Sequence, residues 1–121
     1  MVRGKKMLKL YKMSEEEKME MNISPSDNYY SFRQGDELLG FAKINVLKEI
    51  DIFIFILEEK RGNGFGNELY SQVLEMLKER GINSFALMFP LKNVIMRKIV
   101  EAYGAKEDSR KENKIRYQVF I

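Results

Sequence analysis

Hydrophobic and polar residues change their spacing several times along the chain, and each change marks a new element. Residues 7–11 read as a first strand. A helical signal starts at Ser14, because Ser14 and Glu17 have the spacing of a capping box, in which hydroxyl and carboxylate satisfy the exposed amides of a first turn. That helix is short, since Ser24-Pro25-Ser26 reads as a break. Two further β segments, 29–34 and 38–46, flank Gly35-Asp36-Glu37, which is a hairpin signal.

Residues 49–57 carry apolar side chains on both faces, through Ile50, Ile52, Phe53, Ile54, Phe55 and Ile56. Such a strand is expected to be buried on both sides and central in its sheet. The pattern then breaks at Glu58-Glu59-Lys60-Arg61-Gly62-Asn63-Gly64-Phe65-Gly66. A helix follows, with Leu69, Val73, Leu77, Tyr70 and Leu74 on one stripe, and Gly81 closes it as a left-handed cap. Residues 84–89 predict a strand that Pro90 stops. Residues 93–103 predict a second long helix, with Val94, Ile95, Ile99 and Ala102 available for burial and Gly104 after its end. A polar hairpin and a last strand, 115–121, complete an α/β or α+β layer of sheet and helices. The 121 residues leave room for a single domain, 1–121, with one core.

Composition narrows the chemistry. Hydrophobic residues at 45% and charged residues at 32% match a folded globular chain. The longest apolar run, 52–57, is far below the roughly 20 residues of a membrane span. The basic start lacks the apolar core and cleavage site of a secretory signal, so no membrane partner and a cytoplasmic location are expected. The chain has neither Cys nor His. Disulfides, thiolate nucleophiles, imidazole bases and the common zinc sets are therefore excluded, and no metal is expected. Acid–base work falls to carboxylates, Tyr, Lys, backbone groups or water. The net charge of +3 gathers early, where Arg3, Lys5, Lys6, Lys9 and Lys12 precede the first acid, Glu15. A solvated segment explains that patch more simply than a nucleic-acid partner, because no aromatic interleaving accompanies it.

Gly62, Gly64 and Gly66, placed between a buried strand and a helix, ask for more than a turn. Glycine permits backbone angles and approaches that a Cβ blocks, and a helix N-terminus offers unpaired amides with a positive dipole end. The combination is suited to a phosphate. A nucleoside-triphosphate loop needs Lys-Ser or Lys-Thr after its last glycine, but Asn67-Glu68 stand there. The dinucleotide fingerprint spaces its last two glycines three apart, and here they are two apart.

The segment Arg61-Gly62-Asn63-Gly64-Phe65-Gly66 resembles the acetyl-CoA loop of the GNAT superfamily of acyl-CoA-dependent N-acyltransferases, whose pattern is Arg or Gln, two residues, Gly, one residue, Gly or Ala. The surroundings are similar too: a strand before, an amphipathic helix after, then a strand and a helix that begins with Asn93 and ends before Gly104. The resemblance covers 49–105 well and the flanking strands in outline. It implies a central mixed, mostly antiparallel sheet flanked by helices, and acetyl-CoA as cosubstrate. It also implies that the amides of Gly62, Asn63, Gly64, Phe65 and Gly66 hold the CoA pyrophosphate beside Arg61. Backbone groups at Ile56 and Glu58, with Asn93, would meet the pantetheine arm in a gap between strands 52–57 and 84–89. These are mostly backbone contacts, so the side chains of Asn63 and Phe65 are expected to matter little. Asn93 is equally explained as an N-cap.

By the same resemblance the acetyl group passes directly to an amine, with no covalent enzyme intermediate. The family often protonates the leaving thiolate with a Tyr seven residues after the helix Asn; that position is Val100, and the nearest tyrosine, Tyr103, lies on a neighbouring face. Glu49 and Asp51 are the candidate bases, and both are also ordinary strand-end acids. Glu58 stands where many relatives have proline. About fifteen residues separate Tyr11 from Asp27, where relatives usually have two helices. The acceptor side is therefore open, suited to a small-molecule, protein or peptide amine that Glu15-Glu16-Glu17 would attract, or else completed by a second subunit in a homodimer. Three readings follow: an N-acetyltransferase acting on a primary amine, a non-catalytic acetyl-CoA or CoA-binding module, and a nucleic-acid binder, which explains none of the glycine pattern.

Overall fold

The computed structural model describes residues 8–46 and 50–121. The elements run β1 (Leu8–Lys12), α1 (Glu15–Glu20), β2 (Tyr29–Gln34), β3 (Glu37–Val46), β4 (Ile50–Ile56), a 3-10 turn (Glu58–Lys60), α2 (Phe65–Glu79), β5 (Ser84–Pro90), α3 (Val94–Ala102), β6 (Lys106–Lys111) and β7 (Lys114–Phe120). Hydrogen bonding divides the strands into two sheets, β1-β2-β3-β4 and β5-β7-β6. The pairs β1/β2, β2/β3, β5/β7 and β6/β7 are antiparallel. The chain separates into two compact units, one from the residues up to Ile44 with Phe53–Gln72, the other from Asn45–Ile52 with Val73–Ile121. Among the described residues no helix is long and apolar enough to cross a membrane.

In the first unit the local signals act as read. The Glu17 amide donates to Ser14 Oγ at 3.2 Å, and the Ser14 amide to Glu17 Oε1 at 3.3 Å. The α1 helix stops at Asn22, whose φ of 57° turns the chain back, and the buried Lys18 extends its ammonium to the Pro25 carbonyl at 3.1 Å. Gln34 and Glu37 face each other across a two-residue turn with Gly35 at φ 62°. Glycine at the first central position suits the twist of a hairpin. Phe32, Leu39, Ala42 and Ile44 are buried along β2 and β3.

Gly40 has a different task. A Cβ on it would lie 2.1 Å from the Phe55 carbonyl oxygen and 3.0 Å from Ile56 Cα. The carboxyl end of β4 therefore presses its backbone onto β3 at the one residue without a side chain, as an isolated strand glycine signals. The Leu57 amide then donates to the Leu39 carbonyl at 2.9 Å and holds the strand end down.

One expectation is corrected: β4 is the outer strand of its sheet, not a central one. Apolar residues on both faces report how the faces are covered, whereas the number of neighbouring strands is decided at the backbone edges. Even the faces are covered unevenly, since Asp51 is exposed and Phe53 is 49% exposed.

In the second unit β5 and β7 pair over seven residues, from Ser84↔Phe120 to Pro90↔Lys114. Pro90 is thus the last residue of the strand, a position where its missing donor is tolerated. Phe85, Leu87, Ile115, Tyr117 and Val119 form the buried face. The first arm of the polar hairpin is a full strand, β6, exposed at every position.

A second correction concerns α3. Val94, Ile95 and Ala102 are exposed, Ile95 by 72%, while Met96, Ile99 and Val100 are buried. At 100° per residue those three share one arc; Ile95 and Ala102 fall roughly 90–110° from its centre, and Val94 on the far side.

Tyr117, fully buried and stacked on Phe89 with 5.6 Å between ring centres, donates its hydroxyl to the Glu101 carboxylate. Burial first, and then the Glu101 carboxylate, push the phenol above its ordinary range, against a smaller opposing effect of Arg97.

Two expectations follow. Gly40→Ala should destabilise the protein by about 1–3 kcal/mol or more in urea unfolding, because the added methyl meets backbone rather than a movable side chain. Folded Tyr117 keeps its proton longer than the unfolded chain does, so stability should fall as pH rises through about 10, and Tyr117→Phe should flatten that alkaline limb in thermal melts.

Candidate functional site

The loop between β4 and α2 is built within the first unit. After Leu57 the chain makes its 3-10 turn, closed by the Lys60 amide on the Leu57 carbonyl at 2.8 Å and the Arg61 amide on the Glu58 carbonyl at 3.2 Å. Lys60 Nζ meets Glu37 Oε2 at 2.7 Å and ties this turn to the start of β3. Arg61 folds back over its own strand: Nε donates to the Ile56 carbonyl at 2.9 Å, and the guanidinium lies 5.1 Å from the Phe55 ring centre. Phe55 in turn packs on Phe41 at 5.0 Å, and Phe41 on Tyr29 at 5.9 Å. A row of rings across β2, β3 and β4 thus ends beneath Arg61 and supports the loop from below.

Gly62 and Gly64 both adopt left-handed backbone, φ 83° and 78°, and a Cβ on either would meet nothing within 4 Å. Their constraint is the sign of φ, at a cost to any other residue of roughly 1–2 kcal/mol each, rather than crowding from the chain. The first intrahelical bond of α2 runs from the Glu68 amide to the Gly64 carbonyl at 3.3 Å. The amides of Phe65 and Gly66 come before it and have no carbonyl one turn back to bond. At the positive end of a 15-residue helix, this backbone fits a phosphate or pyrophosphate.

The Asn63 side chain, expected to matter little for contacts to CoA, bonds the loop's own backbone. Nδ2 donates to the Lys60 carbonyl at 3.1 Å and to the Arg61 carbonyl at 3.4 Å. A short amide bonding its neighbours' backbone is a known loop habit, and that was the available signal. Gly40 is a second residue of this kind, since a lone glycine inside an apolar strand signals a close backbone approach.

The remaining candidates lie elsewhere. Glu58 opens the 3-10 turn with its side chain exposed, and Asp51 is an exposed residue of β4. Glu49 lies outside the described residues. Asn93 belongs to the second unit and caps α3, its Oδ1 accepting the Met96 amide at 3.1 Å. Val100 is fully buried. Among the described residues no group of three or more acidic side chains is placed to hold a metal ion.

A β strand ending in a glycine loop at a helix N-terminus, within an antiparallel α+β frame, is an arrangement suited to phosphate. Comparison with known proteins identifies the family. The sequence matches the model of the Acetyltransferase (GNAT) family over residues 5–104. The chain belongs to that family and is an acetyltransferase by class.

Solved structures share the fold. The ribosomal-protein-S18-alanine N-acetyltransferase of Escherichia coli superposes with a TM-score of 0.72 at 17% identity, over 95% of this chain and 94% of that one. A Bacillus subtilis acetyltransferase in complex with CoA gives 0.70 at 16% identity, over 94% and 97% of the two chains. The Campylobacter jejuni N-acetyltransferase PseH, in complex with acetyl coenzyme A, gives 0.75 at 10% identity, over 94% and 99%. No curated protein matches the sequence.

Asn63→Ala should leave the global melting temperature nearly unchanged but raise amide hydrogen exchange across 61–66. Its two bonds lie on the surface, so the loss is local and no more than about 1 kcal/mol.

Proposed function

We propose that the protein is an N-acetyltransferase that passes an acetyl group from acetyl-CoA directly to a primary amine. The observation that carries this reading is the left-handed glycine pair at the N-terminus of α2, in a chain that belongs to an acetyltransferase family. Relatives of the same fold whose structures hold CoA or acetyl coenzyme A support the choice of cosubstrate. The amides of Gly62 to Gly66 would hold the pyrophosphate. Backbone groups of Ile56 and Glu58 would pair with the pantetheine arm, the Ile56 carbonyl already sharing its oxygen with Arg61. Asn93 uses its oxygen as a cap, which leaves its amide nitrogen as the group to meet the arm.

In the reaction the amine lone pair attacks the thioester carbonyl, the C–N bond forms, and the C–S bond breaks. The oxygen gains negative charge in between and would be met by a backbone amide of β4. The attacking amine must lose a proton, to Glu49, to Asp51 or to water. Val100 supplies no proton, so the CoA thiol, with a pKa near that of Cys at about 8.5, would leave as thiolate or take a proton from water. The chain would work as one domain, since the family match runs through residues of both units. A small-molecule, protein or peptide amine as acceptor, a homodimer and a cytoplasmic location complete the proposal.

Calorimetric titration with acetyl-CoA should give micromolar binding, weakened at least about tenfold by Gly64→Val, a β-branched residue forced to positive φ. Thiol release on addition of amines then separates the outcomes. Binding without turnover of any amine would favour a non-catalytic CoA module, the reading that Val100 supports. Absence of binding by the folded wild-type chain would overturn the assignment.

A further inference from the structure

The last residues of β4, all within the first unit, turn their backbone groups alternately toward β3 and away from it. The Phe55 carbonyl is turned onto Gly40, and the Leu57 amide bonds the Leu39 carbonyl at 2.9 Å, so both of these residues face β3. The residue between them points its amide and carbonyl the opposite way. Ile56 therefore presents its carbonyl at the open edge of β4, the outer strand of its sheet. An edge carbonyl is an acceptor for the N–H of an extended, amide-bearing ligand laid along the strand.

Arg61 stands on that acceptor. Its Nε donates to the Ile56 carbonyl at 2.9 Å, and its guanidinium lies 5.1 Å from the Phe55 ring centre. The bond uses Nε, and the other N–H groups of the fork are no part of it. The same residue opens the glycine loop: its carbonyl accepts Asn63 Nδ2 at 3.4 Å, and Gly62 and Gly64 follow in left-handed backbone. Lys60, the neighbouring cation, is engaged by Glu37 at 2.7 Å. Rooted five residues after Ile56 and directly before Gly62, the exposed Arg61 side chain can turn to the strand edge or to an anion at the 62–66 amides. The anion is the stronger partner, because both sides of the bond are then charged and the planar fork can meet two oxygens at once. A neutral carbonyl and one exposed ring hold a guanidinium less firmly.

We propose that Arg61 makes the edge of β4 conditional on the anion, and so determines which thioesters the protein accepts. It covers the Ile56 carbonyl until a pyrophosphate at the 62–66 amides draws the guanidinium away, and the carbonyl then accepts an amide N–H of the pantetheine arm. The inference rests on the acetyl-CoA reading. Arg61 thereby favours CoA thioesters over pantetheine thioesters, which carry the amide arm without the pyrophosphate.

The test is an NMR titration of ¹⁵N-labelled protein with inorganic pyrophosphate, pantetheine and acetyl-CoA, following the amides of Leu57 and residues 62–66 and the Arg61 Nε–H. Pyrophosphate should shift the 62–66 amides and the Arg61 Nε–H together. It should also tighten pantetheine binding about three- to tenfold, the worth of one hydrogen bond to a neutral group. Pantetheine should tighten pyrophosphate by the same factor, because coupling between two ligands is reciprocal. Arg61→Ala, at an exposed position, should bind pantetheine alone more tightly than wild type by that factor, bind pyrophosphate more weakly and show no coupling. A residue that merely supports the loop would weaken both ligands when removed, and that result would overturn the proposal. So would a wild-type affinity for pantetheine indifferent to pyrophosphate; if that chain still binds acetyl-CoA, the acetyl-transfer reading survives the loss. A folded wild-type chain that takes up neither pyrophosphate nor acetyl-CoA would overturn both.

Discussion

The carboxyl end of β4 is fixed by a backbone-to-backbone approach. The Phe55 carbonyl occupies the space a side chain on Gly40 would need, and the Leu57 amide bonds the Leu39 carbonyl just beyond it. Everything in the loop depends on where that strand end stops. The 3-10 turn begins one residue later, Arg61 reaches back to the last carbonyl of β4, and the left-handed residues Gly62 and Gly64 then turn the chain into α2. A shift of β4 along β3 would carry the whole cradle with it.

The loop exposes its backbone, and its side chains serve that backbone. Arg61 is folded onto Phe55 and Ile56, Asn63 ties two carbonyls, and Lys60 pairs with Glu37. Such a backbone needs few particular side chains beyond glycine at the left-handed positions.

Val100, where the resemblance led to the expectation of a proton donor, is fully buried in the second unit with Met96 and Ile99. A nearby phenol exists at Tyr117, but it is buried and bonded to Glu101, with its proton held more tightly than usual. Its evident work is to tie β7 to α3. With neither His nor Cys in the chain, imidazole and thiolate are excluded as proton carriers.

Local chemistry made much of the fold legible. The Ser14–Glu17 capping box, the Gly35-Asp36 turn, the stripe through Leu69, Val73 and Leu77, and the three-glycine loop are each decided by neighbours in sequence, so the residues alone determined them. Three things were settled only by tertiary structure. Whether β4 lies at the edge or the centre depends on which backbones pair with it, and its side chains say only how its faces are covered. Which arc of α3 is buried depends on how the helix lies on its sheet, so Met96 and Val100 went inward while Val94 and Ile95 stayed out. The cleft lined by Pro90, Leu91 and Lys92 also takes in Asn113, more than twenty positions away, and no local pattern brings those together.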